Sequence, residues 1–290
     1  MIFLPETENV MDKKHAVHIS AKSQGSRSVI RELFSCHDMI GFFVKRNITA
    51  SYKQTILGPL WIIIGPLLST VVYNIVFTDI AGIDTDGAPS FLFYLCGNLI
   101  WSFFAGVLSA NSSVLTSNAG LFSKVYFPRL AVPVSTVLTR LIHFGIQFVM
   151  FLGFLIYYIA AGYNVHPNIY LLLVPVIIIE ASLLATGVGL ILSAATAKYR
   201  DLRSLIGVLT HLWMFATPVV YPVSASSGVI KTLLLLNPMT PIVETFRFAF
   251  TGRGGINVYS LLLSFALTFC ILVIGILLFR KTERNYLDTE

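Results

Sequence analysis

The chain has 290 residues, of which 56% are hydrophobic and only 12% charged, with a formal net charge of +6. Soluble domains carry roughly 25% charged residues, so this composition excludes an ordinary soluble enzyme and indicates an integral membrane protein. The positive balance alone would suit nucleic acid, but the cations fall in particular loops between apolar stretches, which argues against a nucleic-acid face.

Residues 1–27 have little apolar content and no periodicity, as a mobile cytosolic tail would. Met11 is an alternative start, and no apolar core of a signal peptide is visible in the first 28 residues. Over 28–56 the apolar residues Val29, Ile30, Leu33, Phe34, Ile40, Phe43, Val44 and Ile48 recur at three- and four-residue steps. Arg31, Glu32, Asp38, Lys45 and Arg46 lie between them, which predicts an amphipathic helix in the membrane interface. It is either a generic surface anchor or a lever that also touches a cytosolic partner. Leu57-Gly58-Pro59 ends it, and Trp61 follows at headgroup depth.

Six stretches are long and apolar enough to cross a bilayer: Trp61–Thr78, Ala88–Ala110, Leu130–Ala161, Ile169–Ala197, Ser204–Tyr221 and Ile256–Phe279. A helix rises about 1.5 Å per residue, so about 20 residues cover a hydrocarbon core of about 30 Å. Gly65-Pro66 marks a kink in the first, whose freed carbonyl a neighbouring helix can satisfy. Residues 111–129 are too long for a simple turn and predict a short helix, with Pro128 and Pro133 stiffening the entry to the third stretch. In 223–255, Val229–Leu236 and Ile242–Phe250 are apolar but half a bilayer long, and Asn237-Pro238 separates them. Such a pair, ended by Gly254-Gly255, predicts an external re-entrant hairpin lining an opening.

Charge gives the orientation. Lys45, Arg46 and Lys53 precede the first stretch, and Lys124 and Arg129 lie between the second and third. Lys198, Arg200 and Arg203 lie between the fourth and fifth, and Arg280, Lys281 and Arg284 follow the sixth. Loops 79–87 and 162–168 contain no Lys or Arg. Cationic loops stay in the cytoplasm, so both termini are expected there. Lys231, Arg247 and Arg253 are the exception.

Arg140, His143, Glu180 and His211 fall inside apolar stretches, and a proton- or ion-coupled secondary transporter would need such a set. Counting rises from each side puts Glu180 about 10–15 Å out of register with Arg140 and His143. Glu180 is therefore expected near Gln147 or the outer boundary, in a structural role. Cys36, Cys96 and Cys270 have no metal-ligand spacing and are expected as free thiols. No GxxxxGK[ST], HExxH or GxSxG occurs, so neither ATP hydrolysis nor a recognisable enzyme chemistry is expected of this chain.

Five short motifs in order carry a resemblance. They are Tyr52-Lys53-Gln54-Thr55-Ile56-Leu57-Gly58-Pro59-Leu60-Trp61, Ser123-Lys124-Val125-Tyr126-Phe127-Pro128-Arg129, Tyr199-Arg200-Asp201-Leu202-Arg203, Pro218-Val219-Val220-Tyr221-Pro222, and Asn237-Pro238-Met239 followed by Glu244 and Arg247. Over about 28–285 the chain resembles the membrane subunits of type 2 ABC polysaccharide exporters, of the Wzm and TarG kind. It departs from them at Lys45-Arg46-Asn47, where Arg-Asp is frequent, and at Ser51, where Arg is common.

The resemblance implies an all-α integral membrane fold, with a domain at 57–285 and a short cytosolic tail at 286–290. It implies a homodimer in the bacterial plasma membrane, paired with two copies of a separate ATPase that holds ATP and Mg, and no cofactor in this chain. Phe43, Lys45, Arg46, Tyr52, Leu57 and Gly58 would belong to a gate helix and its loop. Lys124, Val125, Tyr126, Phe127 and Arg129, with Arg200, Asp201 and Arg203, would couple to the ATPase. Asn237, Pro238, Glu244 and Arg247 would form the external gate. The cargo would be a lipid-linked glycan, such as an O-antigen or teichoic acid precursor. Tyr73, Phe77, Trp213, Phe215 and Tyr221 would offer flat faces along its path.

Overall fold

The computed structural model describes residues 36–53, 58–122, 127–199 and 201–287, without the side chains of 119, 122 and 284–287. Among them every regular element is helical. In chain order these are α1 His37–Tyr52, α2 Leu60–Tyr73 (continued by a π-helical turn over Asn74–Ile80), α3 Ser90–Asn111, α4 Val114–Ser117, α5 Ala119–Phe122 and α6 Ala131–Ala160. A 3₁₀ turn, Ile169–Leu173, then leads into α7 Val174–Lys198, followed by α8 Leu202–Phe215, α9 Gly228–Leu236, α10 Met239–Thr251 and α11 Val258–Leu287.

Five helical segments are long and apolar enough to cross a membrane: Leu60–Ile80, Ser90–Asn111, Ala131–Ala160, Ile169–Lys198 and Val258–Glu283. The fifth apolar stretch forms a shorter helix than its sequence implies. Instead of running to Tyr221, helix α8 stops at Phe215 after 14 residues. Pro218 has no N–H with which to extend the ladder. The backbone past it turns instead, and its carbonyls find side-chain donors on α10 and just before it.

Lipid tails are as apolar as leucine, so helices in a membrane associate through close packing and hydrogen bonds rather than through expulsion from water. Helix α3 is the most deeply buried of the long helices, and residues such as Leu95, Leu99, Ile100 and Phe104 are fully buried. Asn111 at its end donates to Thr186 Oγ1 of α7 and accepts from Thr136 Oγ1 of α6. The hydroxyls of Ser193 and Thr196 on α7 join it to the chain around α4, pairing with Leu115 N and Ser112 O at 3.2 and 2.9 Å. Helices α7 and α11 form the closest pair. A Cβ built at Gly187 would come within 2.8 Å of the Leu272 backbone, so only glycine allows this approach.

The kink expected in the first span is tied from both sides. Proline at 66 removes the donor that would bond Ile62 O, and Gln147 Nε2 on α6 supplies one at 3.0 Å. Asn98 Nδ2 on α3 donates to Pro66 O at 3.0 Å. Gln147 is thereby committed to α2 and is not the neighbour of Glu180 that register arithmetic suggested. Glu180 lies instead against α11, where Ser264 Oγ sits between its Oε1 and Pro238 O. Counting rises along two helices gives depth but not the direction in which a side chain leaves the helix.

The amphipathic helix is seen from His37 to Tyr52, while 28–35 and 54–56 of its expected range lie outside the described residues. The loop after α3 forms two single-turn helices rather than one. Asn237 separates α9 from α10 as expected, but α10 ends at Gly252 (φ 68°), ahead of Gly254-Gly255. At 13 residues α10 is also longer than its apolar run suggests. The three cysteines are free thiols.

Candidate functional site

At one end of the bundle, α1 meets the loop before α6. The Phe43 ring is 5.6 Å from that of Phe127, in a small cluster with Val114, Leu115, Val132, Leu190 and Phe279. Two residues assigned to separate roles from sequence thus touch one another: Phe127 is 9% exposed and faces α1. Next to it Arg129 Nε pairs with Glu283 Oε1 at 3.4 Å. The first described helix and the end of the last one therefore share this end of the bundle. Lys45, Arg46, Asp201 and Arg203 are exposed, and Gly58 adopts a left-handed turn (φ 49°) before α2. Leu57, Lys124, Val125, Tyr126 and Arg200 lie outside the described residues.

Beyond α1 the Tyr52 hydroxyl meets His143 Nε2 at 2.9 Å. Together they border an open cleft of about 480 Å³ between α1, α2, α3 and α6, which Arg140 and Gln147 also line. Sequence reasoning singled out Tyr52, Arg140 and His143 separately. Their convergence was missed because it depends on how α1 lies across α6.

At the opposite end, α10 packs against α3 and α6, and α9 leans on α10 and α11. Phe148 and Phe151 of α6 interlock with Phe246 and Phe250 of α10, at ring separations from 5.0 to 6.5 Å. Arg247 is 4% exposed, its guanidinium 3.6 Å from the Phe93 ring centroid. It donates to the carbonyls of Pro218 and Val219 at 2.8 and 3.1 Å, which closes the turn after α8. Burial pulls this guanidinium down to about 10, so it stays charged at neutral pH. Glu244 is half-buried nearby, and burial raises its carboxyl above the usual range.

Asn237 uses all its hydrogen-bonding positions. Oδ1 accepts from Trp213 Nε1 and Met239 N at 3.1 and 3.0 Å, and Nδ2 donates to Ala216 O and Thr217 Oγ1 at 2.8 and 2.9 Å. Adjacent Pro238 caps α10.

Of the aromatic residues expected along a path, Trp213 packs on Trp101 and Phe104, Tyr73 and Phe77 lie edge to face at 6.2 Å, and Tyr221 donates to Phe215 O at 2.8 Å. Phe215 itself is exposed. Of the ionisable residues inside apolar stretches, Arg140 and His143 line the same cleft, whereas Glu180 and His211 lie apart from them. Glu180 pairs with Ser264, His143 with Tyr52, and His211 is exposed on α8.

The comparisons agree with this architecture. The chain is 29% identical to the O-antigen export system permease protein RfbA of Myxococcus xanthus over 224 residues, covering 77% of this chain and 84% of that one. It is 23% identical to a protein of the same name from Klebsiella pneumoniae over 253 residues, covering 87% and 94%. The family described as ABC-2 type transporter matches residues 40–251, from within α1 to the end of α10. A helical bundle with five long apolar helices, the short helix α1 at one end and the buried helix α10 at the other thus belongs to the ABC-2 type transporter family, as a Wzm-like permease.

Proposed function

We propose that this chain is the membrane subunit of an ATP-driven exporter that carries a lipid-linked polysaccharide, of the O-antigen or teichoic-acid kind, from the cytoplasmic side across the bacterial plasma membrane. The observation that carries the reading is the match of the family over residues 40–251, together with relatives named as O-antigen export permeases that align over most of both chains. The chain holds no phosphate-cradling GxxxxGK[ST] loop, which supports placing ATP and Mg on a separate ATPase.

In this reading α8 and the turns to Tyr221 form a sixth crossing, with both termini cytoplasmic. Support comes from α1 and the end of α11 meeting at Phe43, Phe127 and Phe279, since a chain that starts and ends on one side crosses an even number of times. The α9–α10 pair is then the external re-entrant gate. Apolar side chains left exposed on α2 and α8, such as Leu68, Val72, Val208 and Leu212, suit a second copy of the chain. The aromatic residues of α2 and α8 would border the glycan path.

ATPase docking falls to the segment from Lys124 to Arg129 and to the corner of Arg200, Asp201 and Arg203. Contact between Phe127 and Phe43 supports a route from that docking loop into the gate helix. Deleting the gene in its host tests the proposal. Polymer should accumulate on its carrier at the inner face and vanish from the surface, and this chain with its ATPase should restore export. Unchanged surface glycan in the deletion strain would overturn it.

A further inference from the structure

We infer that Glu180 on α7 is a buried proton-binding site that holds the start of α10, and that lifting α10 from the bundle releases the proton; the link to export rests on the proposed function. The proton follows from a count of donors. Ser264 Oγ of α11 lies within hydrogen-bonding distance of Glu180 Oε1 and also, at 2.7 Å, of Pro238 O. A hydroxyl has one hydrogen to give, and a backbone carbonyl only accepts. Were Glu180 ionised, both neighbours would be acceptors, and one pair of oxygens would touch with no hydrogen between them. A protonated Glu180 completes the chain: its O–H donates to Ser264 Oγ, and Ser264 donates to Pro238 O.

The other half of the carboxyl group agrees. Glu180 is 1% exposed, and its Oε2 is buried without a hydrogen-bond partner. Half a negative charge on that bare oxygen costs far more than a neutral carbonyl oxygen in the same place. None of the ion pairs among the described residues involves Glu180. The ionisable groups on elements packed against α7 are occupied elsewhere, exposed or far along the helices. On α10, Glu244 and Arg247 line a small pocket with Asp86 and Arg253, while on α3 Tyr94 meets Thr78 and Cys96 is a buried thiol. Tyr170 packs on Phe248, and Tyr259 and Cys270 of α11 are exposed, as is His211 of α8. Arg140 and His143 of α6 line the cleft beside α1, and Lys198, Arg280, Lys281 and Glu283 lie at the far ends of α7 and α11.

Pro238 is the cap of α10, so the chain of hydrogen bonds ties the first turn of that helix to α7 and α11 at once. Glu180 lies about 9 Å along α7 from Val174 at 1.5 Å per residue, and water reaches it when α10 lifts. A carboxyl group in water gives up its proton at neutral pH. Lifting therefore releases one proton, and each unit of rising pH favours it by up to about tenfold.

Two measurements on the full-length chain in nanodiscs test the inference. Infrared difference spectra of the parent against Glu180→Gln at pH 7 should show the carbonyl stretch of a protonated carboxyl group in the parent alone. If the glutamine variant does not fold, Ser264→Ala carries this test, since loss of the hydrogen bond should shift that band. The second measurement follows Thr245 of α10, which is 1% exposed, as a Thr245→Cys reporter. Its reaction with a water-soluble maleimide is read at that site by mass spectrometry, in the parent and in Glu180→Gln. Glutamine keeps a neutral donor for Ser264, so it should hold α10 down at every pH. The ratio of the two rates cancels the ionisation of the thiol itself, and it should rise about fivefold or more from pH 6 to pH 8.

Absence of the protonated-carboxyl band at pH 7, or a band that Ser264→Ala leaves unmoved, would overturn the proposal. So would a labelling ratio that stays constant with pH. Neither measurement reads export, so their failure removes the proton site alone, whereas unchanged surface glycan in the deletion strain removes the exporter reading alone.

Discussion

Helices α2 and α3 are neighbours in the chain and comparably apolar, yet 78% of the apolar stretch of α3 is buried within the protein, against 6% for α2 and its π-helical extension. Hydropathy cannot produce that difference, because lipid receives leucine as readily as a neighbouring helix does. What separates the two is the supply of specific contacts. The inner face of α3 carries Gly97, Asn98, Ser102 and Asn111 among interlocking rings, and each polar group finds a partner on another helix or on its own next turn. On α2 the one fully buried polar side chain, Thr70, donates back to Pro66 O of its own helix and accepts only a long bond, 3.4 Å, from Asn98 Nδ2 of α3. The helix is held mainly by donors that α3 and α6 extend to its kink.

Four substitutions sharpen or break that contrast, each read as a change in unfolding free energy in detergent. The largest effect should come from Arg247→Ala, which removes the cation from Phe93 at the end of α3 and leaves two buried carbonyls without a donor, at about 4 kcal/mol. Phe104→Ala should follow at about 3 kcal/mol, since its ring sits 5.3 Å from Trp101 and 5.1 Å from Trp213 with no lipid able to fill the gap. Gln147→Leu should cost about 1.5 kcal/mol by leaving Ile62 O unpaired at the kink. Leu68→Ala on the open face of α2 should cost less than about 0.5 kcal/mol in the monomer. A Leu68→Ala cost equal to that of Phe104→Ala would erase the distinction. If Leu68→Ala is silent in the monomer but weakens self-association, the open face is where the second copy sits.

Sequence reasoning reached the elements more readily than their contacts. Apolar length placed the five long helices to within a few residues, and the half-length runs on either side of Asn237-Pro238 announced the α9–α10 pair. Gly65-Pro66 marked a kink whose freed carbonyl a neighbouring helix could satisfy, without naming Ile62 or Gln147. The fifth stretch was read too long because Ala216–Tyr221 is as apolar as the helix before it. Its turns are fixed by Asn237 and Arg247, which arrive from further along the chain. Phe43 with Phe127, Tyr52 with His143 and Glu180 with Ser264 were illegible for one reason: periodicity defines faces, and only the assembled bundle says which faces meet.

Asn237 adds a consequence for motion. Its amide ties the end of α8 to the start of α10 through four hydrogen bonds, with none of its hydrogen-bonding positions left over. Separating the two segments would strain these bonds together, whereas moving both as one unit breaks none of them. The end of α8 and the start of α10 are therefore built as one rigid piece, and any displacement of either carries the other with it.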